Sequence, residues 1–139
     1  FYEQLLAEQQ AVVDDCGTGI EQLEAMIRRV TRLCAAHAPE IRILHYDWPH
    51  FARNEELADL LAQSTRTLDF WHQVIVTGVD DGTLRSDVDP EASLRVITSS
   101  IHGVLDRQRY GSRPNLAHRP GLDALVEQLV ETFVGGLRA

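Results

Sequence analysis

The side chains best suited to recognition chemistry concentrate at residues 43–51, ILHYDWPHF, which hold two His, three aromatics and a Pro. A second aromatic group follows at Asp69–His72, DFWH. Trp and His together supply a broad apolar wall and an N–H able to fix one polar group of a small molecule. Ordinary core packing is the alternative for each aromatic taken singly. Six His also raise a metal reading, but the spacings are poor. His45 and His50 straddle Pro49, and Pro49 also separates Asp47 from His50 in any helix. No H-E-x-x-H, E-x-x-H or Cys-x-x-Cys occurs. His102 lies beside Ile101 and points either into a pocket or toward a partner, or is a satisfied core residue. A Gly-rich phosphate loop and a G-x-S-x-G turn are absent, and Ser99 and Ser100 have no evident base. The residues therefore favour binding over catalysis. Arg107, Arg109, Arg113 and Arg119, with Tyr110, gather before the last helix. They read as a solvated or dimer-edge loop, or as a contact for an anionic effector such as an acyl-CoA phosphate.

These residues must be held by a scaffold, and bulk composition bounds it. The chain of 139 residues, 44% of them hydrophobic, suits one domain with a real core. No apolar run approaches the ~18 residues of a membrane span, and the opening FYEQLLAEQQ has no signal-peptide pattern. Net charge is −8, contrary to a phosphate-gripping surface. All thirteen basic residues are Arg, which reflects codon bias of a GC-rich gene rather than chemistry. Cys16 and Cys34 are expected as free thiols in a cytoplasmic protein. With no initiator Met and helical periodicity from Phe1, the natural protein is expected to continue upstream.

Apolar periodicity predicts six helices and no strands. The first carries Phe1, Leu5, Val12 and Cys16, and ends at Gly17 and Gly19. The second, Ile20 to His37, carries Leu23, Ile27, Val30 and Cys34. A short third runs from Pro39 and is stopped by Pro49. Asn54 caps a long fourth helix, striped by Leu57, Leu61, Ser64, Leu68, Trp71 and Ile75. The fifth spans Pro90 to Arg109, with Leu94, Ile97, Ile101, Val104 and Leu105 inward. The last, Leu122 to Leu137, has a wide apolar face. Between the fourth and fifth lies VTGVDDGTLRSDVDP, residues 76–90. Gly82 suits a left-handed helix end, Asp89 an N-cap with Pro90 behind it, and Arg85 can clip the turn to a nearby acid.

The stretch TGVDDGTLRSDVDPEASLRVI resembles the connector of TetR-like transcriptional regulators, through Gly78, Gly82, Leu84, Arg85, Asp87, Asp89 and Pro90. The ending LVEQLVETFVGGLRA is similar to that family's closing helix, and the helix order matches its C-terminal regulatory domain. The resemblance implies an all-α domain over residues 1–139 whose helix-turn-helix DNA-binding head is absent from this chain. It implies a repressor's ligand-binding domain, without cofactor or metal, that meets DNA only through that absent head and does not meet a membrane. The pocket is expected beside Trp71, walled by Trp48, Phe51, Ile75 and Ile101, with His45, His72 or His102 orienting a small hydrophobic or acyl-CoA-like effector. Small side chains at Ser99, Ser100 and Gly103, and the apolar Leu125, Leu129 and Phe133, predict a homodimer in which each subunit gives its last two helices to a four-helix bundle. Intramolecular packing alone is the alternative for those surfaces. Two other classes stay open: a helical metalloenzyme using His45, His50 and His102, and a dimer acting only as an interaction module.

Overall fold

The computed structural model describes residues 1–106 and 121–139. Among them are seven α-helices: α1 (Tyr2–Asp15), α2 (Gly19–Ala36), α3 (Ala38–Tyr46), α4 (Trp48–Arg53), α5 (Ala58–Asp80), α6 (Pro90–Leu105) and α7 (Leu122–Leu137). A single 3-10 turn, Glu55–Leu57, precedes α5.

Local chemistry explains most of the boundaries. Thr18 and Glu21 form a reciprocal capping box at the start of α2, each side chain accepting from the other's backbone N–H. Asp89 accepts from the Ala92 N–H at 3.1 Å and Pro90 opens α6. At the end of α5, Gly82 adopts φ +79°, a conformation a Cβ would strain. Three boundaries differ from expectation. The expected third helix breaks at Asp47 into α3 and α4, because Pro49 fits the first turn of a new helix, where its missing N–H is no loss. Asn54 caps the 3-10 turn, accepting from the Glu56 N–H at 3.0 Å, before α5 begins. Helix α6 also ends at Leu105, with Asp106 as its cap, short of Arg109.

The core lies where α1, α2 and α5 pack together, with α6 and α7 closing one side. Leu23, Met26, Ile27, Val74, Ile75, Ile97 and Ile101 are all buried there. Each such side chain contributes about 1.5–3 kcal/mol through lost water contact. Helix α2 runs antiparallel to α5, and their ends meet at Gly19 and Gly78, where a Cβ on Gly19 would lie 2.0 Å from the Gly78 Cα. Around this crossing the connector forms a knot. The Gly19 N–H donates to Asp81 Oδ2 at 2.6 Å and the Ile20 N–H to Thr83 Oγ1 at 3.1 Å. The Arg85 N–H donates to the Leu137 carbonyl at 2.9 Å, and the Ala139 N–H to that of Thr83 at 3.0 Å. Leu84 and Val88 are buried beneath. Arg85 also pairs with Asp87 at 3.4 Å, as the connector's charge pattern predicts.

Candidate functional site

The core of α1, α2 and α5 contains the residues most able to surround a small molecule. Trp71 is only 2% exposed, and it joins Ile75 and, from α6, Ile101 in one buried cluster. The structure thus brings together three of the expected pocket residues. Trp48 and Phe51 are half-buried on α4 and are not among the side chains packed on that cluster. His72 is exposed on the far side of α5, lining an open groove of about 320 Å³ with Thr65, Leu68, Asp69, Glu91 and Leu94. It therefore faces away from Trp71. His102 is half-buried on α6. His45 belongs to α3, and its side chain lies outside the described set, as do Arg107, Arg109, Tyr110, Arg113 and Arg119.

Periodicity misplaced one position of α5. Leu68 was expected inward but is 41% exposed, and Thr67 takes the buried place one turn before Trp71. At this level α5 meets α1: Gln9 Nε2 donates to the Thr67 backbone carbonyl at 3.2 Å inside the core, while the Thr67 hydroxyl donates back to the Ser64 carbonyl at 2.7 Å. Among the described residues the buried polar ones are Gln9, Gln22, Thr31 and Thr67, and none carries a charge. Sequence reasoning passed over the first of these. Gln9 interrupts the stripe of Leu5 and Val12, and Thr31 sits between Ile27 and Cys34 on theirs, so an apolar stripe broken by one polar residue was the available signal. Nearby, burial raises the Tyr2 hydroxyl above its ordinary pKa, the Ser64 side chain partly opposing this. Burial pushes the Cys34 thiol up to about 12, so it is neutral at physiological pH. Both cysteines are free thiols.

The other candidate surface is the outside of α6 and α7. Ser99 is exposed, Ser100 donates back to the Val96 carbonyl at 2.7 Å, and a Cβ on Gly103 would meet nothing within 4 Å. Val96 (55%) and Leu122 (38%) are exposed apolar side chains on the same two helices. Leu125 and Phe133 are half-buried, whereas Leu129, 6% exposed, packs into the chain's own core. Its contribution is thus intramolecular rather than to an outer face. His50 is exposed on α4, and among the described residues no three His, Cys, Asp or Glu are grouped to hold a metal ion. Nor is any described helix long and apolar enough to cross a membrane.

The chain belongs to the tetracyclin repressor-like family as its C-terminal domain, the family's sequence pattern matching residues 16–106. It is therefore part of a transcriptional regulator, in a family whose members act as dimers that bind small-molecule effectors and DNA. The solved structure of the ketosteroid transcriptional regulator KstR2 of Mycobacterium tuberculosis shares its fold. The TM-score is 0.84, covering 99% of this chain and 67% of that chain, at 17% sequence identity. Among curated proteins, none is significantly similar in sequence.

Proposed function

We propose that residues 1–139 are the effector-binding and dimerising domain of a TetR-like repressor acting in the cytoplasm, and that its DNA-binding head lies outside this chain. The observation that carries this reading is the position of Trp71. It is buried on α5 at the centre of the packing among α1, α2, α5 and α6. A small hydrophobic or acyl-CoA-like molecule entering there must separate helices that otherwise touch. Ligand and helix arrangement are then linked: the ligand favours whichever arrangement it binds better, by its differential affinity for the two. Helix α1 carries the change to the head, and the outer faces of α6 and α7 hold two subunits together. Part of the fold-related regulator's chain, the share beyond the 67% matched, leaves room for such a head.

The test is a titration of the full-length protein with a panel of acyl-CoA thioesters and uncharged hydrophobic compounds. Indole fluorescence and release from operator DNA are read in parallel. Binding of one compound should change both signals together, and Trp71→Ala should weaken that binding by about tenfold or more, the scale of losing one large buried contact surface. Effector binding undiminished by Trp71→Ala would move the pocket elsewhere; release from DNA without binding to this domain would end the reading.

A further inference from the structure

Two polar atoms in the core have no hydrogen-bond partner among the described residues and no exposure: Gln9 Oε1 and Thr31 Oγ1. Buried oxygens are rarely left in this state, because the lost hydration is not returned. The orientation of Gln9 is fixed by chemistry. Its amide nitrogen donates to the Thr67 carbonyl, and turning the amide over would set two oxygens against each other. The unmatched atom is therefore an acceptor. Thr31 brings a hydroxyl that can donate.

The helix register places the two atoms at one level. Gly19 of α2 lies against Gly78 of α5, and the helices are antiparallel. Thr31 is as far along α2 from Gly19 as Arg66, the neighbour of Thr67, is back along α5 from Gly78. Gln9 meets α5 at that same Thr67. One turn further along α5 is Trp71. The polar level thus adjoins the aromatic centre already assigned to the effector.

We infer that this level recognises an uncharged hydroxyl group of the effector, which donates to Gln9 Oε1 and accepts from the Thr31 hydroxyl. The inference rests on the pocket reading above and adds the chemistry of the ligand to it. An alcohol satisfies both atoms, whereas a hydrocarbon satisfies neither. A carboxylate could not donate to Gln9, and among the described residues it would find no buried cation, since no charged side chain of theirs is buried in this core. Cys34 and Tyr2 add no charge, as burial holds both in their neutral forms. Any anionic part of an effector consequently stays outside this level.

Three probes of one shape test the inference on the full chain: naphthalene, 2-naphthol and 2-naphthoate, with affinities from ligand-observed NMR. Expected is a preference for 2-naphthol over both others of at least about tenfold, the scale on which a site holding unpaired polar groups discriminates. Gln9→Met and the isosteric Thr31→Val should each erase most of that preference. The ligand-free melting temperature gives a second readout: Thr31→Val should leave it unchanged or raise it, because an unmatched hydroxyl is removed. A fall on Thr31→Val, with no preference for the alcohol, would mean that the level is satisfied by resident water, and would overturn the inference. Equal binding of the three probes would also overturn it and leave the pocket standing. If none of the probes binds, the inference falls, and the acyl-CoA titration judges the pocket separately.

Discussion

Replacing Gly19 with Ala should be among the most damaging small substitutions in this chain. The added Cβ would lie 2.0 Å from the Gly78 Cα, 2.1 Å from its N and 2.8 Å from the Thr77 carbonyl carbon. All three atoms are backbone, so no rotamer change relieves the clash. Carbon atoms rest at about 3.5–4.0 Å, so α2 and α5 must part by roughly 1.5 Å at their crossing. Parting also breaks the bonds that the Gly19 and Ile20 N–H groups make to Asp81 and Thr83. Overpacking costs about 1–3 kcal/mol, and this case falls at the upper end. Loss of the added cap costs about 1 kcal/mol more. A total near 3–4 kcal/mol lowers the melting temperature by roughly 10–15 °C for a domain of this size. Thermal unfolding followed by helical circular dichroism, at matched protein concentration, measures it. Gly135→Ala is the control: its Cβ meets nothing within 4 Å, so helix propensity should leave stability equal or higher by up to about 1 kcal/mol. A Gly19→Ala protein melting within about 2 °C of the wild type would refute the close crossing.

Gly103→Arg should shift the chain from two copies toward one in light scattering at micromolar concentration, since Gly103 borders open space on the outer face of α6; a wild-type protein that is already monomeric there would sink the dimer proposal. Asp81 should make stability acid-sensitive. Its carboxyl is held below its ordinary value of 3.8, first by the Thr83 hydroxyl and then by the Gly19 N–H. A depressed folded-state pKa contributes stability that is present above the unfolded value and lost as pH falls through the folded one. Asp81→Asn should therefore melt lower than wild type at neutral pH, and the gap should narrow below about pH 4, as pH-dependent melts would show; a gap constant down to acid would refute the role of the charge. Iodoacetamide at pH 8 should label half-exposed Cys16 well before buried Cys34, whose thiol is pushed up to about 12; mass spectrometry of labelled peptides decides, and faster labelling of Cys34 would show that its surroundings open readily.

The helices were legible wherever one residue type dominates a boundary. Gly82, Asp89 and Pro90 act in the connector as their chemistry demands, and the stripe of Leu23, Ile27, Val30 and Cys34 is buried as its spacing predicts. Thr18 and Glu21 carry the S/T-x-x-E signature of the capping box that they form. Less legible was the rotation of each helix about its axis. Whether Thr67 or Leu68 faces inward depends on how α5 packs against α1 and α2, and no local pattern on α5 contains that information. The same holds for the site. Trp71 was identifiable as a large apolar residue on the inward stripe of α5, but whether Trp48 and Phe51 join it required knowing where α4 lies. His72 follows Trp71 in sequence, yet about 100° of helical rotation turns it out of the core to the exposed groove.

The two ends of the α1–α2–α5 bundle are built differently, and this gives an effector a direction in which to act. At one end the connector ties Gly19 and Ile20 to Asp81 and Thr83, and Leu137 and Ala139 to Arg85 and Thr83. Helices α2 and α5 are thereby fixed to the end of α7, one of the two helices proposed to meet a second subunit. At the other end, the Phe1 ring rests 5.4 Å from that of His37, where α2 gives way to residues 38–57, and no described side chain in that segment is buried. Half-buried apolar side chains, Phe1, Tyr2, Leu33 and Ile41, close this end, so it resists movement less than the hydrogen-bonded one. The polar level at Gln9, Thr31 and Thr67 lies between these ends. A molecule wedged into that level works against a clamped end and a yielding one, so displacement is expected at the yielding end. That end carries Phe1 and Tyr2, the start of α1 and the point from which a preceding DNA-binding head would extend. Within residues 76–90, Asp81 and Thr83 thus serve more than a turn: they tie the start of α2 to the clamped end, while Asp89 caps α6.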